Sequence, residues 1–365
     1  MEQVAPLLPA WDEGSLVDVI PGLLGPQSGP LFDDEFRSAS ATVVLVVDGL
    51  GWVQLQDRLD IAPVMAALVG RSLTSVAPST TSAALTSLVT GAAPGEHGVV
   101  GYRIAVDREV LNVLSWRTSA GDARHRVIPE DFQRIPPFLG HDPLVVQNKE
   151  FRSSGFTRAH LAGCRQEGWT TFPTLPVLVN HAVRRGEPFV YAYYDGIDKV
   201  AHQYGFGPEY EAELQAVDSM VGKLLATLPD GTALVVTADH GLVECRDGEV
   251  DVGSLVGSAV RRQSGEARFR WLHTEPGSAQ EVADELVQGF GPKMWVRTVE
   301  QVLDECWLGR HLTEPARQRL GDVAVVAKDG WTIADPDEQS SVALLGRHGS
   351  LTADEMLVPL LTARV

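Results

Sequence analysis

The chain has 365 residues, 44% of them hydrophobic and 21% charged, which suits a folded protein with a large core and excludes wholesale disorder. Forty-eight acidic against thirty basic residues leave a net charge of −18, so a nucleic-acid polymer or an anionic membrane surface would be repelled. No apolar run reaches membrane-spanning length, and Cys164, Cys245 and Cys306 suggest neither a disulfide framework nor a cysteine metal site; a cytoplasmic protein is expected.

Residues 1–40, rich in Pro, Gly and acidic side chains with apolar pieces such as Leu16-Val17-Asp18-Val19-Ile20, read as an extended arm over the core. From residue 41, β-branched runs alternate with helical patterns: a strand at 43–47, a helix near 60–69, a short strand near 72–76, and a helix over 82–90 that Gly91 ends. Residues 99–150 break the rhythm with a strand-like 109–114 and a loop carrying His125, Pro136 and Pro137. A strand at 188–193, a helix at 208–228 and a buried strand at 233–236 restore it. Residues 245–345, with Arg261, Arg262, Arg268, Arg270 and His273, a helix at 278–288 and a strand at 323–327, are expected to form an inserted subdomain that also returns strands to the sheet. The alternation predicts an α/β fold: a largely parallel central sheet with helices on both faces.

In open α/β sheets ligands collect at the carboxyl ends of strands, and several titratable residues fall there. Asp48 ends the 43–47 strand beside Gly49; it is a cation ligand or a plain helix N-cap. Asp198 and His202 stand four apart, so one helical turn puts both on one face, as a shared metal or a simple surface pair would have it. Asp239 and His240 follow a buried strand, where a carboxylate and an imidazole need a partner such as a metal. His348, in a Gly-flanked loop, is weak alone and gains weight as a third ligand for Asp198 and His202, a mixed N/O set that suits zinc. Thr81 lies at the start of the 82–90 helix, whose amides favour a bound phosphate, although Ser79, Thr80, Thr81 and Ser82 are all competent caps.

The order Asp48, Thr81, Asp198 with His202, Asp239-His240 and His348 resembles the alkaline phosphatase superfamily. Residues 78–99 are most similar to its type I phosphodiesterase/nucleotide pyrophosphatase branch, with Thr90-Gly91, Pro94 and His97-Gly98 aligning that branch's nucleophilic threonine on Thr81. The resemblance implies an alkaline-phosphatase-like domain over 41–365 and a small phosphorylated substrate, a diester or pyrophosphate, cleaved through a phospho-threonine intermediate. It implies two zinc ions, one on Asp198, His202 and His348, the other on Asp48, Asp239, His240 and the Thr81 oxygen. Where the branch usually has an asparagine three residues after the nucleophile, this chain has Ala84, which cannot donate a hydrogen bond to a phosphoryl oxygen; either Asn112, Arg103 or Lys199 replaces it, or the substrate differs from the family's usual nucleotides. Tyr102, Trp116, Lys149, Arg270 and His273 are further candidates for a substrate pocket. A phosphomonoesterase or phosphonate hydrolase on the same metals is the alternative; a zinc-stabilised protein that binds a phosphometabolite without turnover is the rival from another class.

Overall fold

A computed structural model describes residues 5–12, 14–26, 29–338 and 344–365; the expectations for 1–4, 13, 27–28 and 339–343 lie outside the described residues. The centre is a seven-stranded sheet in the order Val69–Thr74, Leu357–Arg364, Thr232–Thr237, Ala41–Val47, Phe189–Tyr194, Leu144–Asn148, Arg165–Trp169. Leu357–Arg364 is antiparallel to both of its neighbours, and the other pairings are parallel, so six strands share one direction. Every residue of Phe189–Tyr194 and Thr232–Thr237 is buried, which requires cover on both faces of the sheet and explains their unbroken apolar runs. Among the covering elements, Leu175–Arg184 packs on Phe189–Tyr194, and Trp52–Gln56 packs on Leu357–Arg364.

Three expectations change. The described residues of 1–40 lie on the core but are not extended throughout: Leu16–Asp18, Val19–Leu24 and Asp34–Arg37 are short helical turns, and Leu16, Val19, Ile20 and Phe32 are buried in the main core. The strand at 323–327 does not return to the central sheet. It pairs with Phe269–Thr274 and Met294–Thr298 in a separate antiparallel four-stranded sheet that Val260–Glu266 completes. That sheet and the helix Ala279–Phe290 enclose a second apolar cluster including Leu272, Val282, Leu286, Val296 and Val325. The helix expected near 60–69 is only the turn Pro63–Ala66.

Polar contacts tie the second sheet to the rest of the chain, two of them through arginines. Arg268 lies in the turn between Val260–Glu266 and Phe269–Thr274, and its guanidinium meets Glu355 at 3.0 Å (Nε–Oε1) and 2.7 Å (Nη2–Oε2), both side chains fully buried. Glu355 also accepts from Ser350 N (3.0 Å) and Thr352 Oγ1 (2.6 Å), which fixes the loop that carries His348. The second contact is with a hairpin: Arg262 Nη1 donates to Asp107 O at 3.0 Å, in the turn joining Arg103–Val106 to Glu109–Asn112.

Candidate metal centre

Parallel register sets Val46 beside Thr237 and Val47 beside Tyr194, so the ends of three strands are level and Asp48, Asp195 and Asp239 emerge together. Asp198 N donates to Asp48 O at 3.1 Å, which brings the helix Gly196–Tyr204 against the turn after the first strand. Only glycine fits between them: Gly49 has φ +74°, and a Cβ there would stand 3.0 Å from Asp198 Cα and 2.8 Å from Leu242 Cδ1. Its N–H donates to Asp239 Oδ1 at 3.1 Å.

The three imidazoles are held alike. His202 Nδ1 faces Gly346 O at 2.6 Å, His240 Nδ1 faces Gly241 O at 3.1 Å and His348 Nδ1 faces Ser79 O at 3.1 Å. A carbonyl only accepts, so each ring carries its proton on Nδ1 and turns a bare Nε2 inward, the arrangement of a metal-ligating histidine. His202 Nε2 is 3.2 Å and His348 Nε2 3.8 Å from Asp198 Oδ1. His240 Nε2 is 3.4 Å from Asp48 Oδ1, 3.5 Å from Asp239 Oδ2 and 3.1 Å from Thr81 Oγ1. The rings of His240 and His348 stack with centroids 3.7 Å apart.

The residues fit divalent cations. Asp48 Oδ1, Asp198 Oδ1 and Asp239 Oδ2 are buried without a hydrogen-bond partner, a costly state for three neighbouring carboxylates unless a cation joins them. Burial, and then the charges of Asp239 and Asp198, push the Asp48 carboxyl well above its ordinary range; burial also raises Asp198 and Asp239. Burial lowers His240, and lowers His348 further with the help of the other two rings, so these imidazoles are neutral and free to ligate. Ligand atoms cluster as Asp48, Asp239 and His240 on one side and Asp198, His240 and His348 on the other, with His202 beside Asp198. His240 thus borders both groups.

Thr81 is the first residue of the helix Thr81–Thr90, with Thr80 at the cap. The Thr80 hydroxyl turns away to Glu266 Oε2 at 3.2 Å, leaving Thr81 to face His240. Two cavities meet at Thr81 and Asp198. One, of about 1050 Å³, is polar and lined by Tyr102, Arg103, Glu266, Arg270 and His348 among others. The other, of about 240 Å³, lies beyond Asp48 between Phe151, Phe156, Tyr191 and Tyr193.

Of the pocket candidates, Tyr102, Arg103 and Arg270 line the large cavity, and Lys199 the small one. Trp116 is instead a core residue, fully buried with its indole N–H donating to Val127 O at 2.7 Å, and His273 is buried against Ser264 Oγ at 2.9 Å. Lys149 lines neither cavity. His97 is structural: it bridges Ser87 Oγ (2.8 Å) and Val99 N (3.0 Å), and burial depresses its pKa to about 3. Two residues had no signal in the sequence: Tyr193, whose hydroxyl donates to Asp48 Oδ2, and Glu266, buried beside His348 with its Oε1 unpartnered.

A profile of the type I phosphodiesterase/nucleotide pyrophosphatase family matches residues 42–351, which takes in every ligand candidate. The chain belongs to that family. It is therefore a member of a metal-dependent phosphoester hydrolase family in the alkaline phosphatase superfamily. Among solved structures it is similar to murine ectonucleotide pyrophosphatase/phosphodiesterase 5, with 19% identity over 88% of this chain and 87% of that one and a TM-score of 0.67. It is also similar to phosphonoacetate hydrolase from Sinorhizobium meliloti 1021, with 18% identity, 90% and 91% coverage and a TM-score of 0.68. At these identities the likeness is one of fold. Comparison with curated protein sequences returns no match. No helix among the described residues is long and apolar enough to cross a membrane.

Proposed function

We propose that this family member hydrolyses a small phosphate diester or pyrophosphate with Thr81 as nucleophile, forming and then hydrolysing a phospho-threonine. The observation that carries this is the convergence on His240 Nε2 of Thr81 Oγ1 and the partnerless buried oxygens Asp48 Oδ1 and Asp239 Oδ2. The proposed ligand sets are Asp198, His202 and His348 for one zinc, and Asp48, Asp239, His240 and the Thr81 oxygen for the other. Bound zinc would offset the carboxylate charge, ease ionisation of the hydroxyl and stabilise charge on phosphoryl oxygens.

The protein's own groups do the rest. Thr81 Oγ1 attacks phosphorus in line; the new O–P bond forms as the bond to the leaving oxygen breaks, and that oxygen leaves as the alcohol or phosphate after taking up a proton. The helix Thr81–Thr90 directs its first amides at the same point, where they favour the phosphoryl group. Water then cleaves the phospho-threonine and restores the hydroxyl. Support for a threonine in this role comes from a threonine-to-alanine variant of the murine relative, described as inactive in its complex with AMP.

A diester is favoured over a monoester because the two cavities meeting at Thr81 offer one place for each substituent on phosphorus. The free state of all three cysteines supports a cytoplasmic location. The test is zinc content with turnover of bis(p-nitrophenyl) phosphate and p-nitrophenyl phosphate by wild type and Thr81→Ala. Diester preference that requires zinc and Thr81 is the expected result; full turnover by Thr81→Ala would overturn the covalent route, and monoester preference would move the reading to a phosphatase. Metal-loaded protein with neither activity would favour a binding role.

A further inference from the structure

Charge developing on the phosphoryl oxygens calls for a hydrogen-bond donor, and each expected side chain that has one is already engaged with at least one protein partner. Ala84 has no polar side-chain atom and is buried in the helix. Arg103 is bound to Asp335, and Lys199 Nζ stands 2.5 Å from Asp195 Oδ2. Asn112 is used at both ends. Its Oδ1 accepts from Ser115 N at 3.0 Å, and since a backbone N–H can meet only an acceptor, the amide orientation is settled. The Nδ2 group therefore donates to Tyr102 Oη, at 2.7 Å.

That bond fills an acceptor site on the phenol and leaves its own proton without an acceptor among the described residues. Tyr102 lines the large cavity together with Thr81 and His348. We propose that the Tyr102 hydroxyl, oriented by Asn112, donates a hydrogen bond to a phosphoryl oxygen of the substrate, and is a catalytic residue of this enzyme. The inference rests on the reading of Thr81 as nucleophile.

Two hydrogen bonds and a strand pairing hold the backbone around Tyr102 in place. Ser82, the residue after Thr81, donates from Oγ to Gly101 O at 2.8 Å, tying the segment before Tyr102 to the nucleophile's helix. Val113 N donates to Tyr102 O at 2.9 Å, and antiparallel pairing of Arg103 with Asn112 brings the amide alongside the ring. Burial, above the other influences on it, raises the phenol's pKa, so it is a neutral donor at pH 7.

The experiment is steady-state kinetics of zinc-loaded wild type, Tyr102→Phe, Asn112→Ala and the double variant on bis(p-nitrophenyl) phosphate, with inhibition by orthovanadate. Tyr102→Phe is expected to lower kcat roughly 10²-fold with little change in KM, and to weaken orthovanadate inhibition in parallel, at unchanged zinc content and melting temperature. Asn112→Ala is expected to lose less, and to lose nothing more when Tyr102 is already Phe, because it acts through the phenol. A kcat for Tyr102→Phe within about twofold of wild type, or a loss of turnover with orthovanadate inhibition untouched, overturns the proposal. The two readings fail separately: an active Thr81→Ala removes the nucleophile, whereas an inactive Thr81→Ala beside a normal Tyr102→Phe removes only the tyrosine.

Discussion

Replacing Arg268 by methionine isolates the ion pair that joins the second sheet to the His348 loop. The guanidinium makes two bonds to Glu355 and donates through Nη1 to Asp329 O (2.7 Å) and Trp331 O (2.5 Å). Methionine fills most of the space but leaves a fully buried carboxylate with only Ser350 N and Thr352 Oγ1 as donors, and orphans two carbonyls. Breaking a buried pair in this way costs about 3–5 kcal/mol. Removing both charges in Arg268→Met/Glu355→Met leaves no unpaired charge, so the double variant is expected to recover part of that loss, by about 1–4 kcal/mol relative to the worse single. Urea unfolding of the four proteins in saturating zinc gives the cycle. Because Glu355 anchors Ser350, two residues from His348, Glu355→Met is also expected to weaken zinc binding by roughly 10-fold or more. Single losses below about 1 kcal/mol, or a double loss equal to the sum of the singles, would refute this account of the pair.

Other consequences are open to direct measurement. Chelation is expected to destabilise the protein more at pH 8 than at pH 5.5: the folded pKa values of Asp48, Asp198 and Asp239 lie above their unfolded ones, so their contribution to the metal-free protein is complete in acid and disappears as pH rises through the folded values. Thermal melts with and without chelator check this, and equal melting points at both pH values would contradict it. Burial pushes Glu266 from 4.5 up to about 8, so its stabilising contribution is present below pH 4.5 and lost as pH rises towards 8; Glu266→Gln should flatten that part of the stability profile. Gly49→Ala is expected to cost about 1–2 kcal/mol from the left-handed backbone alone, and more from contact with Asp198, with weaker zinc uptake measured by titration.

What could be read from the sequence was what local pattern determines. Asp48 and Asp239-His240 announce themselves because they end apolar runs, and Asp198 with His202 because a helical turn brings i and i+4 together. The pairing of strands 260–327 into a sheet of their own depends on partners up to dozens of residues apart, which no period encodes. Likewise Glu266 reaches Thr80 from 186 positions away, and Tyr193 reaches Asp48 from 145. The helical turns near residue 20 did leave a trace: Leu16, Val19, Ile20 and Leu23 follow helical spacing, a signal that the surrounding prolines and glycines obscured. Trp116 misled because an indole suits a pocket and a core equally; its neighbours decided.

The Leu357–Arg364 strand lies inside the central sheet, between Thr232–Thr237 and Val69–Thr74, although it comes from the far end of the sequence. Among the described residues, Val69–Thr74, which is formed early in the chain, pairs with no other strand of that sheet. During synthesis on the ribosome, then, the segment leading from Val69–Thr74 into Thr81 waits for its sheet partner until residue 364 has been made. His348 arrives only just before that. A nascent chain has Asp48, Asp239 and His240 long before it has the strand that pairs with Val69–Thr74, so shortening the chain by a single strand would cut Val69–Thr74 off from the other five strands rather than trim the sheet's edge.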